Sequence, residues 1–185
     1  MALTLDKPLA SDRLLIRPVE AGDLPALLVV NGDDAVTVRL PYATWKNMDD
    51  ARTWYARMCG MQAGGSALQM VLIDRQLGHA IGSCLLFRYE ADSARAELGY
   101  VLGRAHWGQG YMREALRAVI NCAFEPLALR RLEAEVDPRN VRSARLLEQL
   151  RFTKEGLLRQ RWLTKGEPCD INVYGLLRHE WQPEN

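Results

Sequence analysis

The chain has 185 residues, 48% of them hydrophobic, which suits one ordinary globular domain with a sizeable core. Its 24 Lys and Arg against 23 Asp and Glu leave a formal net charge of +1 and no long run of like charge, a balance that argues against nucleic acid or an anionic membrane as partner. Cys59, Cys84, Cys122 and Cys169 are scattered, lack C-x-x-C spacing and follow no secretory signal, and no apolar run nears the ~20 residues needed to cross a bilayer. These features predict free, structurally buried thiols, no metal site, and a soluble cytoplasmic protein.

In chain order, Arg13 to Arg17 reads as a first strand ended by Pro18, and Asp23 as the cap of a helix over Leu24 to Val30. Residues 31 to 46 read as irregular. Asn47 before the acidic first turn Met48-Asp49-Asp50 predicts a helix to about Met61, stopped by Gly64-Gly65. Ala67 to Ile73 and Ala80 to Phe87 form a predicted hairpin around the turn-like Asp74 to Gly78, and Ala96 to Leu102 is a further strand. Helices near 111 to 124 and from Val141 to Leu150 then alternate with strands at Leu132 to Val136, near 153 to 163 and near 170 to 177. The pattern is that of a mixed α/β fold in a single domain, without repeats or a dividing linker.

The first of these later helices follows Trp107-Gly108-Gln109-Gly110-Tyr111-Met112. A strand, a tight glycine turn and a helix N-terminus bare backbone N–H groups at the positive end of the helix dipole, so the junction suits a phosphate or pyrophosphate. Met112, Ala115, Leu116, Val119, Ile120, Ala123 and Phe124 recur at helical spacing and anchor that helix on a sheet. Gly-x-Gly alone is unspecific. Arg113 stands where a dinucleotide-binding turn has its third glycine, and no Gly-Lys-Ser/Thr follows as a nucleotide phosphate loop requires. At the next strand-to-helix junction Asn140 is the residue type of an N-cap. Ser143 falls on the row of Leu146, Leu147 and Leu150, at the inner edge of a buried face, where it can also simply bond a nearby backbone group.

Taken together, Leu98-Gly99-Tyr100-Val101-Leu102, Trp107 to Ala115, Asp137 to Ser143 and Leu150 to Gly156 resemble the GNAT superfamily of N-acetyltransferases, most closely its RimJ/RimL-like branch. Members of that branch acetylate the N-terminal amine of ribosomal proteins, and related members acetylate other proteins or small amines. The resemblance runs from Asp12 to about Tyr174. It implies a GNAT-like acyl-CoA N-acyltransferase fold, with a mostly antiparallel central sheet flanked by helices, and acetyl-CoA as co-substrate.

By position, the resemblance makes Tyr100, Val101 and Leu102 backbone partners of the pantetheine, places Gly108, Gln109, Gly110, Tyr111, Met112 and Arg113 around the pyrophosphate, and gives Asn140 a contact with the pantetheine arm. Several positions depart from the broader family: Trp107 replaces Gln or Arg, Met112 a small residue, and Arg151 the glycine of a Gly-Phe pair. The tyrosine that many members use as acid for the departing thiolate corresponds to Leu147, which leaves Ser143, one turn earlier, as the hydroxyl for the CoA sulfur. Glu97 and Glu135, on the strands implied to flank the acyl group, are the candidate bases, with deprotonation through water as the alternative. His79 and His106 receive no role.

The segment Leu40 to Trp45 with the helix after it, and the region Trp162 to Glu167, are implied as walls of the acceptor cleft. Neither names the acceptor, which is expected to be a peptide N-terminus or a small amine; a non-catalytic acyl-CoA sensor is the alternative from another class. Tyr174 and Trp181, near a final strand, suggest a surface through which a second copy could pair as a homodimer.

Overall fold

In the computed structural model, which describes residues 2–182, an eight-stranded sheet carries the helices on its two faces. Its strands are β1 (Leu9–Ala10), β2 (Leu14–Pro18), β3 (Leu68–Asp74), β4 (Ala80–Glu90), β5 (Arg95–Leu102), β6 (Arg131–Val136), β7 (Thr153–Thr164) and β8 (Glu167–Leu177), in the order β1-β2-β3-β4-β5-β6-β8-β7. Neighbours are antiparallel except β5 and β6, which run parallel. The mixed, mostly antiparallel α/β sheet is the one expected. The helices are α1 (Leu24–Asn31), α2 (Asp34–Thr37), α3 (Met48–Ala63), α4 (Tyr111–Phe124) and α5 (Val141–Gln149).

The apolar stripe of α4 packs on one sheet face: Leu116, Val119 and Ile120 are fully buried and share a core with Leu132, Ala134, Val136, Tyr174 and Leu176. Each such aliphatic side chain contributes about 1.5–3 kcal/mol on burial, so the N-terminus of α4 is firmly placed. α1 and α3 cover the other face through Leu24, Leu27 and Ala51 against Val71 and Ala80. α3 starts where expected. The Asn47 side chain accepts from the N–H groups of Asp49 and Asp50, while Asp50 returns a bond to the Asn47 N–H.

Four expectations change. Asp23 makes no side-chain cap on α1; its carboxylate instead takes a bidentate pair from Arg17 at 2.8 Å and the Glu20 N–H at 2.8 Å. Residues 31 to 46 are not wholly irregular, because Asp33 caps the short α2 by accepting from the Ala35 N–H. Cys84, Cys122 and Cys169 are buried, but Cys59 is exposed. Finally, the last strand is not an edge. β8 lies between β6 and β7, Tyr174 is 1% exposed, and the Trp181 indole N–H donates to Asn121 Oδ1 at 2.6 Å. Pairing with a second copy through Tyr174 and Trp181 is therefore overturned; the free edge on that side is β7.

The feature that makes a site is a break between β5 and β6. Their pairing covers only Arg95 with Arg131, Ala96 with Leu132 and Glu97 with Glu133. Beyond it β5 continues to Leu102 and β6 to Val136 unpaired with each other, which opens a wedge in the middle of the sheet. No helix among the described residues is long and apolar enough to cross a membrane.

Candidate functional site

The edge of β5 along the wedge carries free backbone groups. The Gly103 N–H donates to the Ile81 carbonyl and Val101 stands opposite Ser83 on β4, so by strand alternation the N–H and C=O groups of Val101 face β4 and those of Tyr100 and Leu102 face the wedge. This alters two expectations about backbone partners. Val101 offers its side chain rather than its backbone, and the Leu102 carbonyl is already taken by the Trp107 indole N–H at 2.8 Å. Tyr100 with the Leu102 N–H remains as a short ladder to which an amide-bearing chain can add as a strand would.

At the end of that edge the glycine turn has the predicted geometry. Gly108 and Gly110 have φ of +73° and +81°, the left-handed region that suits glycine, and Gly110 is the N-cap of α4. Met112 is buried in the core, so only its backbone N–H is open to the turn, while Arg113 is exposed. The Gln109 side chain donates back to the Ala105 carbonyl at 2.7 Å, which leaves its main chain to the turn. Arg13 holds the turn from outside: its guanidinium donates to the Gln109 carbonyl at 3.0 Å and to Glu114 Oε2 at 2.7 Å, and lies 4.1 Å from the centre of the Tyr111 ring. Although burial pulls the Glu114 carboxyl up, the bonds from Ser11 and Arg13 hold it below its ordinary value.

Asn140 is the N-cap of α5, accepting from the Ser143 N–H at 3.2 Å. Ser143 does not merely bond nearby backbone. Its Oγ lies 2.6 Å from the Tyr100 hydroxyl. Burial pushes the Tyr100 phenol above its ordinary value, with the Ser143 bond opposing the rise, so the phenol stays protonated. Leu147, one turn on, is fully buried and apolar.

The two carboxylates face the other side of the sheet. Glu97, 6% exposed, accepts from Arg88 Nη1 at 2.7 Å; Glu135 Oε1 lies 3.5 Å from Arg88 and 3.4 Å from Arg161. The Glu135 side chain is 9% exposed, and its Oε2 is buried with no hydrogen-bond partner. A buried carboxylate oxygen left without a donor is costly, so this atom is set to receive one. Burial pushes the Glu97 carboxyl up from its ordinary value, with Arg88 opposing and Glu135 reinforcing the rise. Because the folded chain holds this proton more tightly than the unfolded one, ionising Glu97 lowers stability as pH rises through its folded pKa. Arg88→Met removes the opposing charge. Its expected result is a further upward shift of the Glu97 titration, read by carboxyl 13C NMR, and a steeper loss of stability with rising pH.

A cleft of about 660 Å3 lies on the Glu97 and Glu135 side, lined by Leu40, Pro41 and Tyr42, by Trp54, Met58 and Met61 of α3, and by Trp162 and Leu163 of β7. A second cleft of about 920 Å3 follows the glycine turn and α5. Both are lined by Tyr100, Val101, Asn140 and Ser143, so they meet at the wedge. Among the described residues no group of three or more His, Cys, Asp or Glu is placed to hold a metal ion. The sequence did not single out Arg88, Arg161, Arg13 or the Tyr100 phenol as parts of this site.

Comparison with known proteins shows the family. Residues 13–153 match the family model described as an acetyltransferase (GNAT) domain. An uncharacterized N-acetyltransferase, p20 of Bacillus licheniformis, is 34% identical over 173 residues, covering 94% of this chain and 97% of the relative. The [ribosomal protein uS5]-alanine N-acetyltransferase of Escherichia coli K12 is 30% identical over 95% of this chain and 93% of its own. The structure of spermidine N-acetyltransferase from Vibrio cholerae, in complex with CoA and spermine, superposes with a TM-score of 0.81 at 20% identity, covering 92% of this chain and 98% of that one.

Proposed function

The chain belongs to the GNAT acetyltransferases and is an N-acetyltransferase; from that premise we propose that it transfers the acetyl group of acetyl-CoA by direct attack of an acceptor amine, with the peptide N-terminus as the favoured acceptor and a small amine as the second reading. The observation that carries this is the wedge with a cleft on each side. An amine reaches the wedge from the face of Glu97 and Glu135, and a thiolate leaves toward the face of Tyr100 and Ser143.

The residues present fit acetyl-CoA. The free edge at Tyr100 and Leu102 suits the pantetheine amides, and the positive-φ turn Gly108 to Gly110, with the N–H groups of Tyr111, Met112 and Arg113, suits the pyrophosphate. Asn140, lining both clefts, lies beside the path of the pantetheine arm. When bound, acetyl-CoA supplies an acetyl group activated as a thioester. A backbone N–H on the open β5 edge polarises the carbonyl under attack. Glu135, through its unpartnered Oε2, accepts a hydrogen bond from the incoming ammonium and takes its proton, with Glu97 behind Arg88 as the second carboxylate. Ser143, oriented by Tyr100, hydrogen-bonds the departing sulfur.

The relative that acetylates ribosomal protein uS5 supports the N-terminal acceptor, and the open cleft is compatible with an extended peptide end. The test is release of free CoA thiol from acetyl-CoA across N-terminal peptides and small amines. Release above background with at least one acceptor is expected. CoA binding without turnover for any of them would favour the acyl-CoA sensor instead.

A further inference from the structure

The charges around the acceptor cleft are unusual for a site that takes amines. Four arginines line it, Arg39, Arg57, Arg88 and Arg161, against three carboxylates, Glu97, Glu135 and Asp137. Those carboxylates are already attended. Asp137 is held by Arg139 at 2.6 and 2.9 Å, Glu97 by Arg88, and Glu135 Oε1 by Arg88 and Arg161. Arg57, by contrast, forms no hydrogen bond or ion pair among the described residues, and Arg39 has only an electrostatic attraction to Asp137.

Arg57 also occupies a telling place. Trp54, Arg57, Met58 and Met61 fall at i, i+3, i+4 and i+7 of α3 and all line the cleft, so one arginine interrupts an otherwise apolar stripe on that helix. It lies close enough to the half-buried Tyr42 phenol to act on its ionisation. A guanidinium is a planar fork of donors with no acceptor capacity, and its natural counterpart is a carboxylate or a comparable oxyanion.

We propose that the acceptor is an amine that carries a carboxylate of its own, the amine directed to Glu135 Oε2 and the carboxylate to Arg57, with Arg39 adding to the field at the junction of the two clefts. This rests on the reading that the cleft receives the acceptor of acetyl transfer. It separates the protein from enzymes of polyamines. A second ammonium would find the carboxylates already attended, and the guanidinium groups of Arg57 and Arg39 repelling it. A free amino acid and a peptide with an acidic residue near its N-terminus present the same chemistry from two sources.

The experiment is acetyl-CoA thiol release with matched acceptors: free alanine and glutamate, the amidated tripeptides Ala-Glu-Ala, Ala-Gln-Ala and Ala-Lys-Ala, alanine amide, and spermidine. A carboxylate-bearing acceptor is expected to exceed its neutral counterpart at least about tenfold in kcat/KM, the scale of one charge-assisted hydrogen bond. Preference for free alanine over alanine amide assigns the anion to an α-carboxylate, and preference for Ala-Glu-Ala over Ala-Gln-Ala assigns it to a side chain. Arg57→Ala is expected to bring the preferred ratio close to one by raising KM for the anionic acceptor, while Arg57→Lys restores part of it. Equal rates for the matched pairs, or preference for spermidine or Ala-Lys-Ala, overturn the carboxylate proposal and leave amine acetylation standing. Absence of turnover with every acceptor overturns both.

Discussion

Glu135→Gln lowers kcat/KM for the acceptor about 100- to 1000-fold, the range of a lost general base, and leaves the dissociation constant of acetyl-CoA unchanged. The expectation follows from the asymmetry of the two carboxylate oxygens. Oε1 has Arg88 at 3.5 Å and Arg161 at 3.4 Å, whereas Oε2 is buried with no donor. An amide keeps the size of the side chain but removes its charge, and it puts an N–H2 group either against two guanidinium groups or against an incoming ammonium. Both arrangements set donor against donor. Glu97→Gln is expected to cost less, because Glu97 Oε2 already has its donor in Arg88 at 2.7 Å. Steady-state kinetics with calorimetric acetyl-CoA binding and a thermal melt separate chemistry from folding. The residual rate of Glu135→Gln should climb with pH as the acceptor loses its proton to bulk water; a flat profile at wild-type rate would remove Glu135 from the mechanism.

The elements read best from sequence are those set by local rules. α4 runs from Tyr111 to Phe124 because its apolar positions repeat at helical spacing, and the glycine turn before it was legible because only a few residue types accept the conformation at Gly108 and Gly110. α2 escaped because four residues carry no period. The place of β8 escaped for another reason: strand order depends on pairing between distant segments, and nothing local distinguishes the interior β8 from the edge β7. The site divides along the same line. Asn140 declared itself as a cap, but the Tyr100 to Ser143 bond joins residues 43 apart and the Arg13 to Glu114 clamp residues 101 apart. Tyr100 was read for its backbone, whereas the fold uses its phenol as well.

That phenol leads to the second large effect. Ser143→Ala is expected to lower kcat about 100-fold and Tyr100→Phe about tenfold, with the double variant no slower than Ser143→Ala alone. A serine hydroxyl in a helix readily turns back to the carbonyl four residues earlier, here that of Arg139, where it is of no use to a departing sulfur. The Tyr100 hydroxyl lies 2.6 Å away and can be donor or acceptor in that bond; in the arrangement where the phenol donates to Ser143 Oγ, the serine proton is left to point elsewhere. Because burial keeps the phenol protonated, it remains able to donate across the working pH range. Tyr100→Phe retains the ring and its packing and removes only that direction, so KM for acetyl-CoA should hold while kcat falls. The coupling is the decisive quantity. If Tyr100 acts only by aiming Ser143, its removal costs nothing further once Ser143 is alanine; strictly additive losses in the double-mutant cycle would mean that the two hydroxyls act separately.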